Sequence, residues 1–246
     1  QIITDGPICL FESAVLHLAT VPSSPVKRSR TSRKEIPGYD YGSDDDLISV
    51  IIGSLLGDCH AESRSGNVRF TFKQSAVVHK SYLYWLHEFF AKRGLCNSLA
   101  PDPKPLLNKD TGETYWYLKF STYTLASFNW IYDMFYVNRI KIVPKNIKKY
   151  LTPLAIAIWI MDDGSRANNG GLLLHTNSFS QEDVRYLGDQ LADRYGICYS
   201  IHVKKGGKGN KSIYYLLYID NASMDILRPQ VKPHMHPDML YKIAKD

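Results

Sequence analysis

"IIGSLLGDC", residues 51–59, and "IAIWIMDDG", residues 156–164, decide how this chain is read. Each is an apolar run of helical character that ends in acid. A carboxylate with no partner inside a core is costly, so Asp58, Asp162 and Asp163 must meet solvent, positive charge or metal. Asp58 aligns with Asp163, and 163 − 58 = 105 residues is a plausible repeat length.

Around these two segments the same order of elements recurs, the mark of an internal repeat. "LISVIIGSLLGD" is followed by the alternating strand "VRFTFKQ", a helix "SYLYWLHEFFAKRGL", a strand "YWYLKFST" and a helix "LASFNWIYDMFY". The second series runs from "TPLAIAIWIMDDG", with Pro153 in the first helical turn, through "LLLHTNSF", the helix "SQEDVRYLGDQLADRYGI" and the strands "CYSIHVKK" and "SIYYLLYID" to a helix near "ASMDIL". Gly94 and Gly196, each followed by an apolar residue, are expected C-caps. The expected organisation is an arm over residues 1–46, a half-domain over 47–140, a linker over 141–151 and a second half-domain over 152–246. The halves are related as the subunits of an isologous dimer fused into one chain.

The chain has 246 residues, and 30 Lys and Arg against 24 Asp and Glu give a formal charge of +6, a balance suited to a polyanion. Four cysteines with no CxxC pair argue against a zinc site and against a dense disulfide framework. No apolar run approaches the roughly 20 residues of a membrane span, so no membrane partner is expected. Residues 1–46 read differently: "ICLFESAVLHLAT" suits a short helix, and "VPSSPVKRSRTSRKEIPGYDYGSDDD" is a Pro/Ser-rich connector carrying the basic cluster Lys27, Arg28, Arg30, Arg33 and Lys34.

Small residues let two helices approach closely. Gly53, Ser54 and Gly57 offer that surface on the first segment, Ala155 and Ala157 on the second. If the two helices pack on the pseudo-axis, Asp58 and Asp163 emerge together and repel unless a cation lies between them. Mg²⁺ accepts one or two carboxylates and otherwise water and phosphate oxygens, which points to metal-assisted phosphodiester hydrolysis.

The two nonapeptides resemble the paired signatures of LAGLIDADG homing endonucleases, in the single-chain, two-motif branch. The first keeps Gly53, Gly57 and Asp58 but has Cys59 where the name motif has glycine; the second keeps Asp163 and Gly164 but has Ile158 for the first glycine. The contexts "YLTPLAIAIWIMDDGS", "HTNSFSQEDVRYL", "IYYLLYIDN" and "VKPHMHPDMLYKI" look like members encoded in yeast mitochondrial large-rRNA introns. The resemblance covers about residues 47 to 246 and implies an α+β fold of two αββαββα half-domains, each with a curved antiparallel sheet forming a DNA-binding saddle. It implies metal binding by Asp58 and Asp163, with Gly57 and Asp162 as neighbouring candidates, and basic residues Lys141 and Lys242 beside the scissile phosphate. The implied cofactor is Mg²⁺, two or three divalent ions shared by two centres, with Mn²⁺ substituting and Ca²⁺ binding without cleavage. The implied activity is site-specific double-strand cleavage of a long pseudo-palindromic DNA target, leaving short 3′ overhangs, by a monomer. The alternative is an intron RNA maturase or a non-cleaving DNA-binding protein. Localisation by the same analogy is mitochondrial, with chloroplast or nucleus as alternatives.

Strand alternation supplies the expected DNA surface. With Phe70 and Phe72 inward, Arg69, Thr71 and Lys73 face out; with Trp116, Leu118 and Phe120 inward, Tyr115, Tyr117, Lys119 and Ser121 face out. His175 and Asn177 oppose Leu172 and Leu174, and Ser200, His202 and Lys204 oppose Tyr199, Ile201 and Val203. Arg64, Ser165 and Arg166 complete the candidate contacts, and "KKGGKGNK" (204–211) is a basic hairpin tip whose Lys205, Lys208 and Lys211 suit phosphate contact. The His234/His236 pair, with no third ligand, is expected to be structural.

Overall fold

In the computed structural model, residues 3–4, 36–109, 111–206 and 212–245 are described. In chain order they form β1 (Ile3–Thr4), α1 (Asp45–Leu56), β2 (His60–Arg64), β3 (Asn67–Ser75), α2 (Lys80–Lys92), β4 (Lys104–Leu107), β5 (Thr114–Ser121), α3 (Asn129–Phe135) and a hairpin of β6 (Tyr136–Val137) and β7 (Ile140–Lys141). There follow α4 (Pro153–Asp163), β8 (Gly164–Arg166), β9 (Leu172–Leu174), α5 (Gln181–Tyr195), β10 (Tyr199–Lys205), β11 (Ile213–Ile219) and α6 (Asn221–Val231). The order αββαββα therefore occurs twice.

Each half builds an antiparallel sheet with the same connectivity. The first runs β2-β3-β5-β4 and the second β8-β9-β11-β10, with β1 added at the edge through Ile3↔Val203 and Thr4↔His202. Phe70, Phe72, Leu118 and Phe120 of the first sheet are buried, as are Leu172, Leu174, Tyr199 and Ile201 of the second, so one face of each sheet is core. The helices start where their capping residues dictate. Asp44 accepts from Leu47 N at 2.8 Å, Thr152 from Ala155 N at 3.1 Å and Ser180 from Asp183 N at 3.1 Å. Gly94 and Gly196 close α2 and α5 at φ +67° and +65°, in the left-handed region where only glycine is unstrained.

Several sequence expectations need correction. Strands β2, β4 and β8 were not anticipated. All four residues of β4 are exposed, and β2 turns back through Ser65 and Gly66, a two-residue hairpin loop at φ +50° and +82°. "LLLHTNSF" is strand only over Leu172–Leu174. The expected arm to residue 46 ends earlier: Tyr41 is buried against the Phe128 ring, and Arg93 pairs with Asp44. The expected helix "ICLFESAVLHLAT" and the basic cluster 27–34 lie outside the described residues.

Candidate active site

The site begins with the contact of α1 and α4. A Cβ on Gly53 would lie 2.2 Å from the Ala155 carbonyl oxygen and 2.8 Å from Ile158 Cβ, so only glycine permits this approach. At the far end Thr152 Oγ1 donates to Ser49 Oγ at 2.8 Å and joins the helix starts. At the near end a Cβ on Gly57 would lie 2.5 Å from Asp162 Cβ: the seventh motif positions face each other, glycine on one side and acid on the other.

Asp58 and Asp163 consequently open into one cleft of about 500 Å³, which Lys141, His60, Arg139 and His175 also line. Burial pushes the Asp163 carboxyl up to about 7, with the Asp58 charge adding to it and Lys141 and Lys242 opposing. Burial also raises Asp58, against the opposing hydrogen bond from Gln74 and the charges of Lys242, His79 and Lys141. Part-buried Asp162 is raised well above the carboxylate range by burial and then by Asp58. Its carboxyl does not line the cleft: Tyr82 Oη donates to Oδ1 at 2.8 Å and Gln74 Nε2 approaches the same oxygen at 3.5 Å. In this structure Asp162 faces Tyr82 and Gln74 rather than the space that Asp58 and Asp163 share.

The two lysines hold matching positions. Lys141 Nζ donates to the Gly57 and Cys59 carbonyls at 3.3 Å each, bracketing Asp58. Lys242 Nζ donates to the Met161 carbonyl at 2.6 Å and the Asp162 carbonyl at 3.3 Å, just before Asp163. Helix C-termini carry free carbonyls and negative partial charge, which an ammonium complements. Burial lowers both amines, and the neighbouring acids resist the change. The Gly57 carbonyl, expected near metal, is thus engaged by Lys141.

Among the described residues no cluster of three or more His, Cys, Asp or Glu could hold a metal alone. The pair Asp58 and Asp163 nevertheless fits Mg²⁺, which takes one or two carboxylates and fills its shell with water and phosphate oxygens.

A second trough, of about 560 Å³, continues from Asp58 along the first sheet past Lys73, Gln74, Tyr115 and Tyr117. Exposed Lys73 and Lys119 are directly opposed across β3 and β5, and Lys73 Nζ lies 4.4 Å from the Tyr117 ring centre. Tyr115 is exposed and donates to Glu113 at 2.5 Å. Arg64 and Arg69 both pair with the same oxygen of Glu62, at 2.8 and 2.9 Å, so one carboxylate offsets one of their two positive charges. In the second half Ser165 and His175 hydrogen-bond each other at 2.9 Å, His202 stacks on Tyr218 at 4.7 Å, and Asn177, Arg166, Lys204 and Lys205 are exposed. Lys208 and Lys211 lie outside the described residues.

The expected alternation holds, as Thr71 opposite Ser121 shows, but three residues differ from expectation in how far they are exposed. Trp116, placed in the core by alternation, is 48% exposed because it lies toward the strand start, where the preceding two residues are also exposed. Thr71 and Ser200, placed outward, are buried at 8% and 7%. Thr71 Oγ1 pairs with Ser121 Oγ at 2.8 Å between longer neighbours, and Ser200 stands opposite Tyr218.

Sequence reasoning missed Gln74, Tyr82 and His79. Gln74 Nε2 donates to Asp58 Oδ2 at 2.7 Å while its Oε1 faces His79 Nδ1 at 3.1 Å. The available signal was parity: Gln74 continues the buried phase of Phe70 and Phe72, and a buried polar residue calls for a partner. His236 accepts from Asp238 N at 3.2 Å and caps a 3₁₀ turn, so it has a structural place.

Residues 48–227 match the model of a family described as the LAGLIDADG DNA endonuclease family. The chain is 40% identical over 227 residues to the cytochrome b mRNA maturase bI2 of Saccharomyces cerevisiae; the match covers 89% of this chain and 52% of that protein, so this chain spans about half of that relative. It is 36% identical to the cytochrome b mRNA maturase bI2 of Debaryomyces hansenii, covering 93% and 83% of the two chains, and 34% identical to intron-encoded endonuclease ai4 of Dictyostelium discoideum, covering 65% and 98%. The solved structure of the homing endonuclease I-WcaI bound to its DNA recognition sequence has the same fold, with a TM-score of 0.70 at 21% identity over 88% of this chain and 100% of that one.

Proposed function

Because this chain belongs to the LAGLIDADG DNA endonuclease family, we propose that it is a site-specific double-strand DNA endonuclease with one centre for each strand. The observation that carries this reading is the opening of Asp58 and Asp163, from two helices in van der Waals contact, into one cleft with Lys141. Mg²⁺ held by these carboxylates would activate water and stabilise the attacking and leaving oxygens of a phosphodiester. The chain's own contribution is orientation and charge. Gln74 fixes one oxygen of Asp58. An ammonium has three N–H donors, and two of each lysine's are spent on backbone carbonyls, leaving one for a phosphate oxygen as negative charge develops. The same reading includes a monomer acting across the minor groove of a long pseudo-palindromic site, short 3′ overhangs and a mitochondrial location.

The test starts by incubating the protein with a randomised duplex library and Mg²⁺ and sequencing the broken ends to obtain a substrate. On that substrate Asp58→Asn and Asp163→Asn should each reduce double-strand cleavage by roughly a hundredfold or more while duplex binding survives. Wild-type cleavage by both variants ends the assignment. A second reading, intron RNA binding, is favoured by the maturase names of two relatives. Tighter binding of intron RNA than of the selected duplex at matched salt would give it precedence.

A further inference from the structure

The two acid centres are related by the pseudo-two-fold but are not equally furnished. Counting two residues past each acid gives His60 and Ser165, whose ladder partners are Thr71 and Leu173. Three residues further along, Gln74 therefore corresponds to Thr176. Gln74 donates to Asp58, whereas the Thr176 hydroxyl turns away and donates to the Tyr215 carbonyl at 2.7 Å. Among the described residues no side chain hydrogen-bonds the Asp163 carboxylate.

The seventh motif positions differ in the same sense. Gly57 leaves a space that the Asp162 side chain fills, so the second motif sends a carboxyl into the first centre and the first motif sends nothing back. Tyr82, from α2 of the first half, is fully buried and donates to that carboxyl at 2.8 Å. The amide of Gln74 now has one workable orientation. Its nitrogen faces the oxygens of Asp58 and Asp162 at 2.7 and 3.5 Å, and its oxygen faces His79 at 3.1 Å; reversing it would set oxygen against carboxyl oxygen.

The geometry points to Asp162 and Tyr82 as positioning residues of the first centre alone: Tyr82 fixes Asp162 against Gly57, and Asp162 with His79 fixes the Gln74 amide onto Asp58. The centre at Asp58 is ordered in advance and the centre at Asp163 is not, so the two DNA strands are cut at different rates. This rests on the nuclease reading above.

The experiment uses the full chain, Mg²⁺ and the duplex selected by the wild type, with a different fluorophore on each strand, under single-turnover conditions. Tyr82→Phe removes one hydrogen bond and should slow one strand about tenfold, leave the other within about twofold, and accumulate a nicked intermediate. Thermal melting is followed in parallel, since a purely structural defect lowers both rates together. Asp162→Val should slow the same strand as Tyr82→Phe, and Asp162→Asn, which keeps an acceptor for Tyr82, should preserve the wild-type ratio. Equal slowing of both strands by folded Tyr82→Phe or Asp162→Val overturns the inference, as does no slowing of either. Loss of cleavage in Asp162→Asn also overturns it, because that is the behaviour of a metal ligand. A wild type that cuts no duplex in the library refutes the nuclease reading itself, a result distinct from all of these.

Discussion

Three carboxyls meet where α1 and α4 end, and their ionisation sets the pH response of the metal-free protein. Asp58, Asp162 and Asp163 are all raised above the ordinary carboxylate range, Asp163 to about 7. A folded-state pKa above the unfolded value means that the native chain keeps protons the unfolded chain has released, so stability falls as pH rises from about 4 toward 7. The lowered carboxyls Asp44 and Glu62 and the lowered His79, His175 and His202 act in the opposite sense, so the contribution is read as a difference between proteins. In EDTA, Asp163→Asn should melt close to the wild type at pH 3.5 and increasingly above it as the pH is raised to 8. Adding Ca²⁺ at pH 8 should raise the wild type more than the variant. A gap that does not change with pH would mean that Asp163 is not raised by its surroundings.

At the level of elements, the contact of α1 with α4 fixes the distance between the acids, and Gly53 is its tightest point. An alanine there drives a methyl into the Ala155 carbonyl, and core overpacking costs about 1–3 kcal/mol. Gly53→Ala should lower the denaturant midpoint accordingly and reduce cleavage through displacement of Asp58; an unchanged midpoint would show that the helices can separate freely. This helix pair was legible in the sequence because two apolar runs with small residues and terminal acids leave few other solutions. The lysines were reached through motif context, and the structure sets them on backbone carbonyls. Gln74 and Tyr82 were not reached. Their partners Asp58 and Asp162 are 16 and 80 residues away, and a buried hydrogen bond of that span leaves only a polar group in the buried phase as its local trace. Short exposed strands such as β4 were missed because hydrophobic alternation records one-sided burial, and β4 has no buried side.

Over the whole molecule, the proposed DNA contact is tested through the charges on the first sheet. Lys73 and Lys119 stand directly opposite each other, and like charges in such a pair destabilise the sheet. Tyr117 under Lys73 relieves part of this, and a phosphate backbone would relieve the rest. Arg64 and Arg69 are different, since Glu62 already offsets part of the charge there. The two kinds of basic residue should therefore separate in a salt titration of duplex binding, followed by fluorescence anisotropy in Ca²⁺. A lysine that contacts phosphate contributes about 0.9 to the slope of log affinity against log salt. Lys73→Ala and Lys119→Ala should each flatten the slope by about that amount while leaving the free protein as stable as the wild type or more so, and Arg64→Ala should change the slope less than either. Loss of binding and stability together in the lysine variants would make the pair structural. An unaltered slope would move the DNA to another face, away from the trough that leads to Asp58.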